Sequence, residues 1–188
     1  MKRAIFIDRD GTLNEEAGYI NHLSRFRPFD FAAEAVGLIN RAGWRAILVT
    51  NQSGLARGYF TEELLARVHD RLGATLARGD ARLDAIYYCP HHPSAGCDCR
   101  KPNPGLLSRA AADFGLDLRR CFVVGDRYKD VELAHRAGAS GVMVLTGYGR
   151  GEYEHQRAAW PAPPEHVAEN LLDAVRWILS PAGSRAAT

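Results

Sequence analysis

Apolar and polar positions along this chain change period in regular alternation. Residues 4–8 begin with the apolar run Ala4-Ile5-Phe6-Ile7 and meet charge abruptly at Asp8, the pattern of a buried strand reaching the edge of a sheet. Over 31–42 the apolar residues Ala32, Ala35, Val36, Ile39 and Ala42 recur at helical spacing, with Gly43 as the stop. A second strand is predicted at 45–50, built on Ala46-Ile47-Leu48-Val49. Thr61, followed by Glu62 and Glu63, opens a helix running to about Arg78. Residues 85–89 read as a third strand, and Pro104 suits the first turn of a helix ending near Gly115. A fourth strand at 121–125, a short helix at 131–137 and a fifth strand at 141–145 follow. Residues 146–164, rich in Gly, Pro and charge, read as loop. Residues 166–179 read as one last helix that packs Val167, Leu171, Leu172, Val175 and Ile178.

This alternation predicts an α/β fold, a parallel sheet with helices on both faces. One domain is expected over residues 1–180, with 181–188, small and polar, as a disordered tail. Ligands of such sheets collect at the carboxyl ends of the strands. Asp8, Thr50, Cys89 and Asp126 each close a predicted strand or follow it, so four strand ends bring polar groups to one rim.

Composition narrows the function classes. The chain has 188 residues, 46% hydrophobic and 24% charged, an ordinary globular balance. A net charge of +2, with Lys and Arg scattered, gives no bulk attraction to nucleic acid or membrane, and neither partner is expected. No apolar run approaches the ~20 residues of a membrane span. The basic start Met1-Lys2-Arg3 reaches Asp8 too soon for a signal peptide, so a cytoplasmic location is expected. No apolar surface stripe demands a dimer, and a monomer is expected.

The first predicted strand runs into Asp8-Arg9-Asp10-Gly11-Thr12. Two carboxylates two residues apart in extended chain project to one side and repel unless a cation neutralises them. A carboxylate can attack phosphorus and form an acyl-phosphate that water later cleaves. Asp8 is the candidate nucleophile, and Asp10 the candidate acid that protonates the leaving oxygen and then activates water. The bland reading of Asp10-Gly11 is a turn. Asp126, beyond the fourth strand, adds a carboxylate, and Mg²⁺ favours such oxygen ligands. Asp8 and Asp126, with a backbone carbonyl from Asp10, would hold it. Asp130 reads most simply as a carboxylate complementing a helix dipole. Thr50-Asn51-Gln52-Ser53-Gly54 offers a hydroxyl and amides to phosphate oxygens, and Lys101, if buried, would balance the carboxylates.

Cys89, His91, Cys97 and Cys99 form two close pairs of metal ligands. Three thiolates and one imidazole make a closed tetrahedral zinc site, whose role would be to stiffen the loop presenting Arg100 and Lys101. His92 competes with His91 as the ligand, and a redox pair of Cys97 and Cys99 is the rival reading. Cys121 opens a strand and reads as a small buried residue.

Together these residues resemble the haloacid-dehalogenase (HAD) superfamily of phosphatases: Asp8-Arg9-Asp10-Gly11-Thr12 matches its first motif, Thr50 its second, Lys101 its third, and Gly125-Asp126 with Asp130 its fourth. The cysteine cluster running into Arg100-Lys101-Pro102, the stretch Asn51-Gln52-Ser53-Gly54-Leu55-Ala56-Arg57-Gly58 and Gly18-Tyr19 resemble a subgroup acting on small phosphorylated metabolites. The resemblance implies a Rossmann-like sheet with little or no cap domain, catalytic Mg²⁺, structural Zn²⁺ and a small phosphorylated sugar as substrate. It implies that Glu16, Ala17, Gly18, Tyr19, Asn51, Gln52 and Ser53 line the substrate. It also implies that Arg100 contacts a second phosphate, with Arg127 where these enzymes often carry Lys. Histidinol phosphate or another small ester is the alternative substrate, and a zinc-stabilised binding module without catalysis is the remote one.

Overall fold

The computed structural model describes residues 2–186. Strand β1 (Ala4–Ile7) is wholly buried and leads, through a long loop, to helix α1 (Ala32–Arg41). Strand β2 (Arg45–Asn51) follows, then α2 (Glu62–Ala77), whose start is fixed by Thr61 Oγ1 accepting from the Leu64 N–H at 3.2 Å. Strand β3 (Ala85–Cys89) enters the cysteine loop, and α3 (Gly105–Phe114) closes at Gly115. Then come β4 (Phe122–Gly125), α4 (Tyr128–Ala137), β5 (Ser140–Val144), α5 (Gly149–Gln156), β6 (His166–Ala168), α6 (Leu171–Leu179) and α7 (Pro181–Ala186).

The six strands are parallel, in the order β3-β2-β1-β4-β5-β6. The order reverses between β1 and β4, and the tips of those two strands carry Asp8 and Asp126. Period-two alternation sorts the side chains. Ile5, Ile7, Leu48 and Val124 face one layer with α1, α2 and α6. Ala4, Phe6, Ile47, Val49 and Val123 face the other with α3 and α4. Both faces of the sheet are thus covered, which is why its strands read as continuous apolar runs.

Three expectations change. The segment 146–164 is not all loop: it holds α5 and a 3₁₀ turn at Arg157–Ala159. The span 166–179 is not one helix. Its first residues pair in parallel with β5, and Asn170 then starts a new helix, its side chain accepting from the Asp173 N–H at 3.1 Å. An edge of β5 left unpaired is a stronger demand than helical periodicity over three residues. The tail expected to fray from 181 is helical over Pro181–Ala186, and positions 187–188 lie outside the described residues. Among the described residues no second sheet or helical cap is inserted between the strands.

Candidate active site

Lys101 organises the centre. Its Nζ lies 2.7 Å from Asp8 Oδ1 and 2.6 Å from Asp130 Oδ1, and donates to the Val49 carbonyl at 3.1 Å. The ammonium's three N–H donors thus reach the tips of β1 and β2 and the first turn of α4. Burial alone would push this ammonium down, but Asp130 and Asp8 outweigh it and hold it above its usual range. The Lys101 backbone is clamped by Asn51, whose Oδ1 accepts from the Lys101 N–H at 3.1 Å and whose Nδ2 donates to its carbonyl at 3.2 Å. The other carboxylate oxygen of Asp130 accepts from the Arg127 N–H at 3.3 Å. Asp130 therefore caps a helix, as expected, and also pairs with the buried lysine.

Asp8, Asp126 and Asp130 each place a carboxylate oxygen within 4.8 Å of the others. Burial raises Asp8 to about 6 against the pull of Lys101. It raises Asp126 to about 8, helped by repulsion from Asp8 and Asp130. Asp126 Oδ2 accepts from the Tyr148 N–H at 2.8 Å, while Oδ1 is buried with no hydrogen-bond partner. An orphaned carboxylate oxygen among mutually repelling carboxylates is a donor set suited to Mg²⁺. Gly11, at φ +80°, lies so close that any Cβ there would overlap the Asp126 carboxylate, so the turn requires glycine on both counts.

Asp10 points differently from Asp8. Its oxygens accept from Arg9 Nε and Nη2, from Asn14 Nδ2 at 3.0 Å and from Gln52 Nε2 at 3.1 Å. Gln52 also donates to Thr50 Oγ1 at 2.9 Å, tying the β2 tip to the first motif.

A cleft of about 250 Å³ opens over these groups, a volume suited to a small phosphorylated metabolite. Asp8, Asp10, Thr50, Lys101 and Asp126 form its floor, and Glu16, Gly18, Tyr19, Asn51, Ser53, Arg100 and Arg127 line its walls. Two residues expected at the substrate are not among those lining the cleft. Gln52 is turned inward by Asp10 and Thr50, and the carbonyl of Ala17 faces Arg25 Nη2 at 2.6 Å. Lys129 and Tyr148 join the lining without having been singled out. Burial and the neighbouring Arg127 push the Lys129 ammonium down. Tyr148 stands between Gly147 and Gly149 after β5, and that glycine bracket was its only sequence signal. Arg100 Nη1 is buried there without a partner. Arg127 is held from behind by Glu152 of α5, Nε to Oε1 at 2.7 Å, and stacks over the Tyr148 ring.

In the cysteine loop the atoms Cys89 Sγ, His91 Nδ1, Cys97 Sγ and Cys99 Sγ lie within 4.8 Å of one another, with close pairs at 3.2 to 3.7 Å. Tetrahedral Zn–S bonds of about 2.3 Å put ligand atoms roughly 3.7 Å apart, so the four fit one ion. His91, not His92, turns to the cluster. His92 instead accepts from the Ser94 N–H and caps the next turn.

A parallel sheet gathering aspartates and a buried lysine at its strand tips resembles a HAD-like hydrolase, and residues 98–174 match the HAD-hydrolase-like family. The chain is 42% identical to D-glycero-D-manno-heptose-1,7-bisphosphate 7-phosphatase of Thermosynechococcus vestitus, covering 93% of this chain and 94% of that one. It is 38% identical to D-glycero-beta-D-manno-heptose-1,7-bisphosphate 7-phosphatase of Escherichia coli, over 94% and 88%. The crystal structure of D,D-heptose 1,7-bisphosphate phosphatase from B. bronchiseptica, complexed with magnesium and phosphate, superposes with a TM-score of 0.87 at 35% identity, covering 95% of this chain and 98% of that one. The chain belongs to this family of heptose bisphosphate phosphatases.

Proposed function

We propose that this protein removes the 7-phosphate of D-glycero-D-manno-heptose 1,7-bisphosphate, leaving heptose 1-phosphate for surface glycan synthesis. The observation that carries the reading is Asp8 at the β1 tip, paired with Lys101 beside Asp126 and Asp130. In the first half-reaction a carboxylate oxygen of Asp8 attacks phosphorus, the phosphorus–O7 bond breaks, and Asp10 gives its proton to O7. In the second, Asp10 takes a proton from water, whose oxygen attacks the aspartyl-phosphate. The bond to Asp8 breaks and inorganic phosphate leaves. Lys101 and Thr50 hold phosphoryl oxygens throughout. Asp8, Asp126 and the backbone carbonyl of Asp10 would hold Mg²⁺, which neutralises the carboxylates and the phosphoryl group.

Arg100, with its unpaired Nη1, Arg127 and Lys129 supply positive charge for the phosphate that stays. Glu16, Gly18, Tyr19 and Ser53 shape the sugar site. Zn²⁺ on Cys89, His91, Cys97 and Cys99 holds the loop that carries Arg100 and Lys101, and free thiols in that role suit a reducing cytoplasm. Residues 1–180 act as one catalytic unit, working as a monomer. Phosphate release with Mg²⁺ from both anomers of heptose 1,7-bisphosphate and from histidinol phosphate tests the proposal. A higher kcat/KM on a heptose anomer is expected. Preference for histidinol phosphate would keep the chemistry and overturn the substrate.

A further inference from the structure

Arg9 stands between the two motif aspartates, yet it faces neither solvent nor the cleft. It is 1% exposed, the largest of the fully buried side chains. Its guanidinium grips the Asp10 carboxylate through Nε to Oδ1 at 3.1 Å, Nη2 to Oδ1 at 3.1 Å and Nη2 to Oδ2 at 2.8 Å. The remaining nitrogen, Nη1, lies 3.3 Å from Nε2 of His69 on α2. Arginine only donates, so Nε2 is the acceptor and the imidazole carries its proton on Nδ1. Burial, and next the guanidinium itself, lower His69 to about 4, in keeping with a neutral ring.

Asn14 and Gln52 each touch a single oxygen of Asp10, whereas the guanidinium bridges both and defines the plane of the carboxylate. A group that must give a proton to one oxygen and later take one from water needs a reproducible orientation.

We propose that Arg9 and His69 are positioning residues for the reaction: His69 fixes the guanidinium, and the guanidinium aims Asp10 at the leaving oxygen. The inference rests on the reading of Asp10 as the acid and base. It differs from a packing role in one measurable respect. A sugar alkoxide needs a proton to leave, while p-nitrophenolate does not, so a misaimed acid penalises only the first. The ratio kcat/KM reports transition-state stabilisation from free enzyme and substrate, and so compares the two leaving groups directly.

The experiment measures kcat/KM on heptose 1,7-bisphosphate and on p-nitrophenyl phosphate for the wild type, Asp10→Asn, His69→Leu, His69→Gln and Arg9→Lys. His69→Leu is expected to lose about tenfold on the heptose ester and less than about twofold on the aryl ester. His69→Gln, whose amide oxygen can accept from Arg9, should recover most of that loss. Arg9→Lys keeps the charge but loses the fork, and should repeat the leaving-group contrast even if His69→Leu does not fold. Equal losses on both esters, or none, would overturn the proposal. Asp10→Asn separates the two levels. If it loses the heptose ester selectively and the His69 and Arg9 variants do not, only the positioning role fails. If it shows no selectivity, the acid role fails and the positioning role with it.

Discussion

Asp8 and Asp10 are two residues apart and chemically identical, and their surroundings divide the labour between them. Among the described residues Asp8 makes one ion pair, with Lys101, beside two further carboxylates, and burial raises it to about 6. Asp10 is wrapped by donors from Arg9, Asn14 and Gln52. On the proposed route the nucleophile is therefore the group left open to phosphorus. Asp8→Asn keeps the shape and removes the nucleophile. It should lower kcat on the order of 10³-fold or more with an unchanged circular dichroism spectrum. Turnover near the wild-type rate would sink the aspartyl-phosphate route. These two residues, with Thr50, Lys101 and Asp126, stood out in the sequence because each sits where an apolar strand gives way to polar residues or in a dense motif. Arg9 and His69 could not stand out: an arginine between two aspartates reads as a surface charge, and His69 lies far away in sequence on an amphipathic helix.

Two elements support the residues that line the cleft. The cysteine loop is one. Its four ligand atoms converge from Cys89 at the end of β3 and from residues 91, 97 and 99, just before Arg100 and Lys101. Cys97→Ser should reduce bound zinc, measured by elemental analysis, and lower the melting temperature by several degrees. Full zinc with an unchanged melting temperature would remove Cys97 from the site. The other element is α5, hidden in a segment whose glycines and prolines read as loop. Glu152 on this helix is buried and binds both the Arg127 guanidinium and the Tyr128 N–H, each at 2.7 Å. Glu152→Gln loses the charge that aims Arg127. It should raise KM for the bisphosphate by about fivefold to tenfold, roughly 1 kcal/mol or a little more, with a smaller change in kcat. An unchanged KM would show that Arg127 needs no support from α5. A composition rule misses such a helix because its one decisive contact joins residues 25 apart in sequence.

For the whole molecule, crowding carboxylates at the rim ties stability to pH and metal. Asp8 and Asp126 are raised in the folded state above their unfolded value of 3.8, to about 6 and about 8. The folded protein thus holds these protons more tightly than the unfolded chain. Their stabilising contribution is complete below pH about 4 and is lost as pH rises through 6 and then 8. For Asp8 alone the loss is about 3 kcal/mol. Mg²⁺ held by these carboxylates would compete with those protons and relieve the same repulsion. The rise in melting temperature on adding Mg²⁺ should therefore be larger at pH 8 than at pH 5. An equal rise at both would mean that the ion binds away from these carboxylates.

By itself the sequence determined the alternation of strands and helices, the parallel sheet and the carboxylates proposed as catalytic. Those follow from side-chain period and from charge placed at strand ends, both local in the chain. It also placed the four candidate zinc ligands close together, choosing His91 but leaving His92 as a competitor. Tertiary structure decided which histidine faces the thiols, that 166–168 completes the sheet rather than opening a helix, and that Gln52 backs Asp10 instead of lining the substrate cleft. It alone brought Lys129, Tyr148 and Glu152 to the site and His69 to Arg9. The choice of histidine is settled by how its own loop folds, and the others depend on hydrogen bonds or packing between segments distant in sequence, which only the folded chain can satisfy.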